Sequence, residues 1–230
     1  MPTHPAFDKL RLGCLEETQR RFSRTIPITD AIDQWMPQGG LPAGCIHEVK
    51  GASFASALAF SSVLSARIAG EQGNIVYIAP DRSLHPLGLL PYGISLDHFL
   101  LVFARRSQDL AWAVMEALRC PQVSAVIAVL DGVGLTDSRR LQLAAEGSGV
   151  TGFLLGHVSS APIAAPITRW RVLSHLGKPG QRFNEPIWAL DLLYCRGGRP
   201  GSWTLEWRNQ RLNTLFNQLA TQTKREALAG

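Results

Sequence analysis

The sequence predicts an α/β fold: a mostly parallel sheet flanked by helices, with an antiparallel extension at its C-terminal end. Three observations carry this expectation. Between residues 45 and 155, short continuous apolar runs alternate with amphipathic helical stretches, the pattern of parallel strands buried on both faces. After residue 157 the pattern changes to alternating segments with no helices between them, as antiparallel strands require. The 230 residues are 46% hydrophobic and have a mean hydropathy of +0.04, enough for one domain with a substantial core and unlike a disordered chain.

Residues 6–22 read as an amphipathic helix, with Phe7, Leu10, Cys14 or Leu15, and Phe22 near helical spacing among charged residues. Pro27 ends any helix there. Thr29 to Met36 is a short helix with Thr29 as candidate N-cap, stopped by Pro37 and the turn Gly39-Gly40-Leu41-Pro42-Ala43-Gly44. Strand 45–49 leads to helix 55–69, and strand 74–79 to a proline-punctuated loop, 80–93. Strand 98–103 leads to helix 107–119, with Ser107 as candidate cap and Asp109 in its positive first turn. Strand 123–130, the turn Asp131-Gly132, helix 136–146 and strand 150–155 follow.

The extension comprises segments 169–176, 187–196 and 203–208. In the last, Trp203, Leu205 and Trp207 face one way and Thr204, Glu206 and Arg208 the other. Arg196-Gly197-Gly198-Arg199-Pro200-Gly201 is the connecting turn. The chain thus divides into an N-terminal helix (1–25), a core (26–209) and a polar tail (210–230), expected to be mobile or ordered by a partner. No internal repeat is visible.

The stretch from Gly51 to Leu58 lies between a strand and a helix, the setting of the phosphate-binding loop G-x-x-x-x-G-K-[ST]. Gly51 supplies the first glycine, but Ser56 replaces the second, Ala57 the lysine and Leu58 the Mg²⁺-binding hydroxyl. Phosphoryl transfer would lose two of its main electrostatic parts. A helix N-terminus still attracts anions, yet the sequence favours a structural turn, and Phe54 places a ring where phosphates would approach. No catalytic residue, cofactor or metal is expected.

The net charge of +5 and the pI near 9.3 fit a phosphate-binding face and an ordinary basic enzyme equally well. The four cysteines, Cys14, Cys45, Cys120 and Cys195, form no C-x-x-C pair or zinc spacing, so reduced thiols are expected. Asp8, Lys9 and Arg11 stand where a signal peptide needs an apolar region, and the run from Val123 to Leu130 is too short to span a bilayer. A cytoplasmic location is the expectation. The six histidines do not cluster, His47 sits within an apolar strand, and no catalytic or metal role is expected of any of them.

The run from Ile32-Asp33 through Gly39-Gly40-Leu41-Pro42-Ala43-Gly44, then Ile46-His47-Glu48-Val49 and Gly51, resembles the opening of the RecA recombinase core. Tyr77-Ile78-Ala79-Pro80-Asp81 sits where such proteins end a strand at a catalytic acid, and Leu130-Asp131 near their Walker B aspartate. Arg139-Arg140-Leu141-Gln142-Leu143-Ala144-Ala145-Glu146 and Cys195-Arg196-Gly197-Gly198-Arg199-Pro200-Gly201-Ser202-Trp203-Thr204-Leu205-Glu206-Trp207 look like the ImuA family, RecA-like accessory proteins of bacterial translesion mutagenesis cassettes. The resemblance spans roughly residues 28–208. It implies a RecA-like P-loop NTPase fold without an effective Walker A. It also implies damage-induced (SOS) expression beside an inactive Y-family polymerase homologue, ImuB, and an error-prone replicative-type polymerase. The implied role is an adaptor in translesion DNA synthesis that binds ImuB, with RecA and DNA as further partners. The competing readings are an ATP-dependent RecA-like DNA-binding enzyme and a SulA-type cell-division inhibitor; the chain is longer than expected of the SulA group and carries the R-G-G-R-P-G segment.

Without a P-loop lysine, Asp81 and Asp131 read as caps or turn residues. Arg139 and Arg140 either reach phosphates or an acidic partner surface, or are solvated helix arginines. Arg196 and Arg199 flank glycines in a turn and suit recognition of phosphate or carboxylate; Arg105 and Arg106 are weaker candidates. Trp203 and Trp207 read as core rather than as a base-stacking platform, and Trp35, Trp112 and Trp170 as packing residues.

Overall fold

The computed structural model describes residues 24–130, 133–175 and 185–217. The helix expected at 6–22, Cys14, Asp131-Gly132 and residues 218–230 lie outside them.

A nine-stranded sheet organises the described residues. At its centre lies β3 (Ile46–Gly51), between β7 (Thr151–His157) and β8 (Thr168–Ser174), both parallel to it. Beyond β7 come β6 (Val123–Val129), β4 (Asn74–Ala79) and the edge strand β5 (Phe99–Phe103), all parallel. Beyond β8 the direction reverses: β9 (Ile187–Cys195), β10 (Gly201–Arg208) and β11 (Arg211–Asn217) form an antiparallel extension. Two short strands, β1 (Thr25–Ile26) and β2 (Leu41–Pro42), pair separately.

Continuous apolar strands arise because both faces of the parallel region are covered. In β6, Ala125 and Ile127 point into one core, and Val126 and Ala128 into the other. The first core lies under α2 (Phe54–Ala69), whose Ala57, Phe60, Val63 and Leu64 are buried. Residues 24–36, including α1 (Asp30–Asp33), and the 3-10 segment Pro86–Tyr92 add Ile28, Ile32 and Leu89 to that layer. The second core lies under α3 (Ser107–Arg119) and α4 (Leu135–Ser148), through Leu110, Val114, Leu118, Leu141 and Ala145.

The antiparallel extension belongs to the first core. Trp170, Trp188 and Trp203 are all but inaccessible, and Phe60 of α2 meets Trp170 and Trp188 with ring centroids 6.1 and 6.0 Å apart. Trp203, Leu205 and Trp207 are buried on one face of β10, in the orientation that the alternation predicts. The expected core reading of Trp203 and Trp207 holds.

Four expectations need correction. The tail does not begin at residue 210, because residues 211–217 continue the sheet as β11. Asn209 and Gln210 both take positive φ, 49° and 57°, making the two-residue turn that suits the twist of a hairpin; polar composition hid it. Trp112 is not packed but 67% exposed, since it falls on the outer side of α3, away from Leu110, Val114 and Leu118. Thr29 occupies the N-cap position without a side-chain cap bond; its hydroxyl instead bonds that of Thr214 at 2.8 Å, tying α1 to β11. Arg106, not Ser107, occupies the cap position of α3. Among the described residues, no helix is long and apolar enough to cross a membrane.

Candidate functional site

At the C-terminal end of β3 the strand-to-helix connection is very short: β3 ends at Gly51 and α2 begins at Phe54. Helix therefore occupies the residues that a phosphate-binding loop would spread around an anion. Ser56 Oγ donates to Ser53 O at 3.0 Å and to Val172 O at 3.1 Å. Ala57, at the position of the lysine, is 0% exposed and packs in the core under α2. The carbonyls of the turn are also engaged: Val158 N donates to Gly51 O, and His157 Nε2 lies 3.1 Å from Ala52 O. A Cβ on Gly51 would press on Ser53 O, with Ser56 Oγ at 2.9 Å and Ala57 Cβ at 3.3 Å. Gly51→Ala is therefore expected to lower stability by about 1–2 kcal/mol, read as a lower urea midpoint. An unchanged midpoint would show that the turn has slack.

Beside this turn lies a charged cluster that the sequence reading did not single out. Glu48 is 2% exposed and sits opposite Arg169 in the β3–β8 register. Its Oε2 accepts from Arg169 Nε, and its Oε1 accepts from Ile163 N at 2.9 Å and faces Lys50 Nζ at 3.6 Å. Lys50 is 6% exposed and donates to Ser160 O; Arg169 Nη2 donates to Ile163 O at 2.6 Å. The cation nearest in sequence to the altered loop is thus turned to the opposite face of β3 and holds down residues 158–167. The available signal was Glu48 and Lys50 at alternate positions of an otherwise apolar strand.

The four candidate arginines do not converge. Arg139 and Arg196 line one crevice of about 360 Å³, with Leu135, Leu143 and Glu146. Arg140 lies on the other flank of α4, 3.8 Å from Asp137, in a crevice of about 380 Å³ that also holds Trp112 and Met115. Arg199 lies across the Trp35 ring at 3.8 Å, a cation–π contact, and accepts through its carbonyl from Trp35 Nε1 at 3.1 Å. The R-R-L-Q-L-A-A-E segment has a structural half: Gln142 Oε1 accepts from Ile46 N at 3.0 Å, while its Nε2 donates to Glu146 at 2.8 Å.

Asp81 is exposed and accepts from Ser83 N at 2.9 Å, in keeping with a turn role; its bonds from the Ser83 side chain and backbone lower its pKa. Asp131 lies outside the described residues. Arg106 pairs with Asp109 at 2.8 Å. His47 is fully buried between Thr168 Oγ1, at 2.7 Å, and Pro42 O, at 2.8 Å. Cys45 and Cys195 are buried, and burial raises both thiol pKa values, that of Cys195 to about 11. Among the described residues, no three His, Cys, Asp or Glu side chains are grouped to hold a metal ion.

No family model matches the chain. Among curated proteins, it is 33% identical over 195 residues to Protein ImuA of Caulobacter vibrioides strain NA1000 / CB15N, covering 76% of this chain and 80% of that protein. Protein ImuA of Caulobacter vibrioides strain ATCC 19089 / CIP 103742 / CB 15 gives the same figures.

Proposed function

This chain belongs to the ImuA family, and from that membership we propose that it is a non-catalytic adaptor of damage-induced translesion DNA synthesis. Its principal partner is an ImuB-like inactive Y-family polymerase homologue; RecA, an error-prone replicative-type polymerase and DNA are further partners, in the cytoplasm. The frame is compatible with a RecA-like core: a central strand leads into the altered phosphate loop, parallel strands lie on both sides, and an antiparallel extension lies beyond β8.

One observation carries the non-catalytic reading. Ser56 Oγ is engaged by the carbonyls of Ser53 and Val172, and Ala57, at the lysine's position, is buried in the core under α2, so neither residue offers a group to a triphosphate. Transition-state charge on a transferred phosphoryl group requires preorganised cations, and the segment from Gly51 to Leu58 carries none. The protein then acts by holding other molecules together.

Two measurements on the full chain test this. Co-purification with the ImuB-like protein is expected. No Mg-ATP turnover above background is expected, with or without DNA. Turnover that disappears in Asp81→Ala would favour the ATP-dependent alternative, and failure to bind the polymerase homologue would remove the adaptor reading.

A further inference from the structure

Helix α4 has two unlike faces. Ser138, Leu141, Gln142 and Ala145 are buried. Leu135, Arg139 and Leu143, spaced four residues apart, point outward, and the two leucines are 50% and 65% exposed. Across the crevice on one flank stands Arg196. The crevice on the other flank holds the exposed Trp112 of α3, with Met115 and Val133. Scattered exposed apolar residues need no explanation, but here three large ones flank one helix, Leu135 and Leu143 on α4 and Trp112 on the neighbouring α3, and exposed apolar groupings are what partner surfaces use.

Charge selects the kind of molecule. Arg106, Arg119 and Arg140, on the helices that frame the Trp112 crevice, already pair with Asp109, Glu116 and Asp137 at 2.8, 3.3 and 3.8 Å. Those carboxylates would repel a nucleic-acid backbone, which needs uncompensated cations. Among the described residues, Arg139 and Arg196 form no ion pair. Glu146, in the same crevice, is held by Gln142. Two unpaired guanidinium groups therefore stand beside exposed leucines, where their planar forks suit carboxylates. Neither residues 6–22 nor residues 218–230 offer an acidic segment. Residues 6–22 carry four basic and three acidic side chains, and residues 218–230 two and one.

We propose that this face of α4 docks an acidic amphipathic segment of a partner protein. Its apolar side chains cover Leu135, Leu143 and Trp112, and its carboxylates meet Arg139 and Arg196. The inference rests on the adaptor reading and gives it a surface and a partner chemistry.

The test titrates the full chain, by fluorescence anisotropy, against three labelled probes: an amphipathic Leu/Glu helical peptide, the same peptide with Lys for Glu, and an oligothymidylate. Binding of the Leu/Glu peptide is expected to weaken roughly tenfold in Leu143→Asp and in Arg139→Glu. The Lys peptide is expected to bind only the double variant Arg139→Glu, Arg196→Glu, a rescue that general damage to the fold would not produce. Any of three results would overturn the proposal: Leu/Glu binding that is absent or indifferent to these variants, oligothymidylate binding weakened by Arg139→Glu but not by Leu143→Asp, or self-association in sedimentation that Leu143→Asp abolishes. A parallel pull-down with the ImuB-like protein separates the two readings. Its failure beside intact peptide results removes that partner and leaves the surface standing.

Discussion

Glu48→Ala is expected to destabilise the protein by about 3–5 kcal/mol, the cost of leaving a buried charge cluster without its counter-charge. Glu48 is the single carboxylate in the set formed with Lys50, Arg169 and Ile163 N. Without it, Lys50 and Arg169 keep only the carbonyls of Ser160 and Ile163, and two cations remain close together with little water to screen them. Ile163 N, beside an inaccessible side chain, also loses its acceptor. In a chain of this size the loss corresponds to a drop of roughly 6–20 °C in Tm. Hydrogen exchange adds a local readout: amides of residues 158–167 should exchange faster, because that segment is pinned to β3 by these bonds. Glu48→Gln keeps the acceptor oxygen and should lose less. Equal losses in the two variants would put the whole effect on the charge, and no loss in either would refute its assignment.

Stability should also fall with acid in a way traceable to His47. Burial pushes its pKa down to about 4, against a smaller opposing effect of the bond to Pro42 O. The bonding partners suit a neutral ring: Trp170 Nε1 donates to Thr168 Oγ1 at 2.8 Å, leaving the Thr168 hydroxyl proton for His47 Nδ1, while Nε2–H faces Pro42 O. Because the folded pKa lies below the unfolded value near 6.5, the unfolded chain binds the proton more readily. The His47 contribution is complete above about pH 6.5 and falls as the pH drops towards 4. The integrated loss is about 3 kcal/mol. Urea unfolding across that window, compared with His47→Asn, isolates this share from the titrating carboxylates. The wild type should lose more stability than the variant as the pH falls, and parallel curves would exclude His47 as the cause.

The ordering of strands and helices was legible because burial on both faces writes itself as continuous apolar runs. Strand 74–79 and helix 107–119 match the structure residue for residue, and the other elements expected among the described residues differ by a few residues at their ends. The alternation of Trp203, Leu205 and Trp207 likewise gave the buried face of β10. The strand β11 was missed because Arg211, Asn213 and Thr214 look polar, and its pairing depends on a turn at Asn209-Gln210 whose positive φ values are not marked by glycine. Trp112 was misplaced for a related reason. Helical periodicity assigns a face, but a tryptophan beside that face invites a packing role whichever way it points.

Residue identity alone determined that Gly51 to Leu58 carries no lysine or hydroxyl at the positions a phosphate-binding loop would use, that no Cys/His cluster has zinc spacing, and that the arginine-bearing segments resemble the ImuA family. Tertiary structure decided what those segments do in space. It closed the Gly51 turn with Ser56 and Ala57, and it turned Lys50 to the far face of β3, where Glu48 and Arg169 wait in register. It also brought Arg139 and Arg196, 57 positions apart in the sequence, to one crevice while sending Arg140 and Arg199 elsewhere. The physical reason is that a chain pattern encodes only periods of a few residues. Which distant side chains become neighbours is set by strand register and by the packing of helices on the sheet.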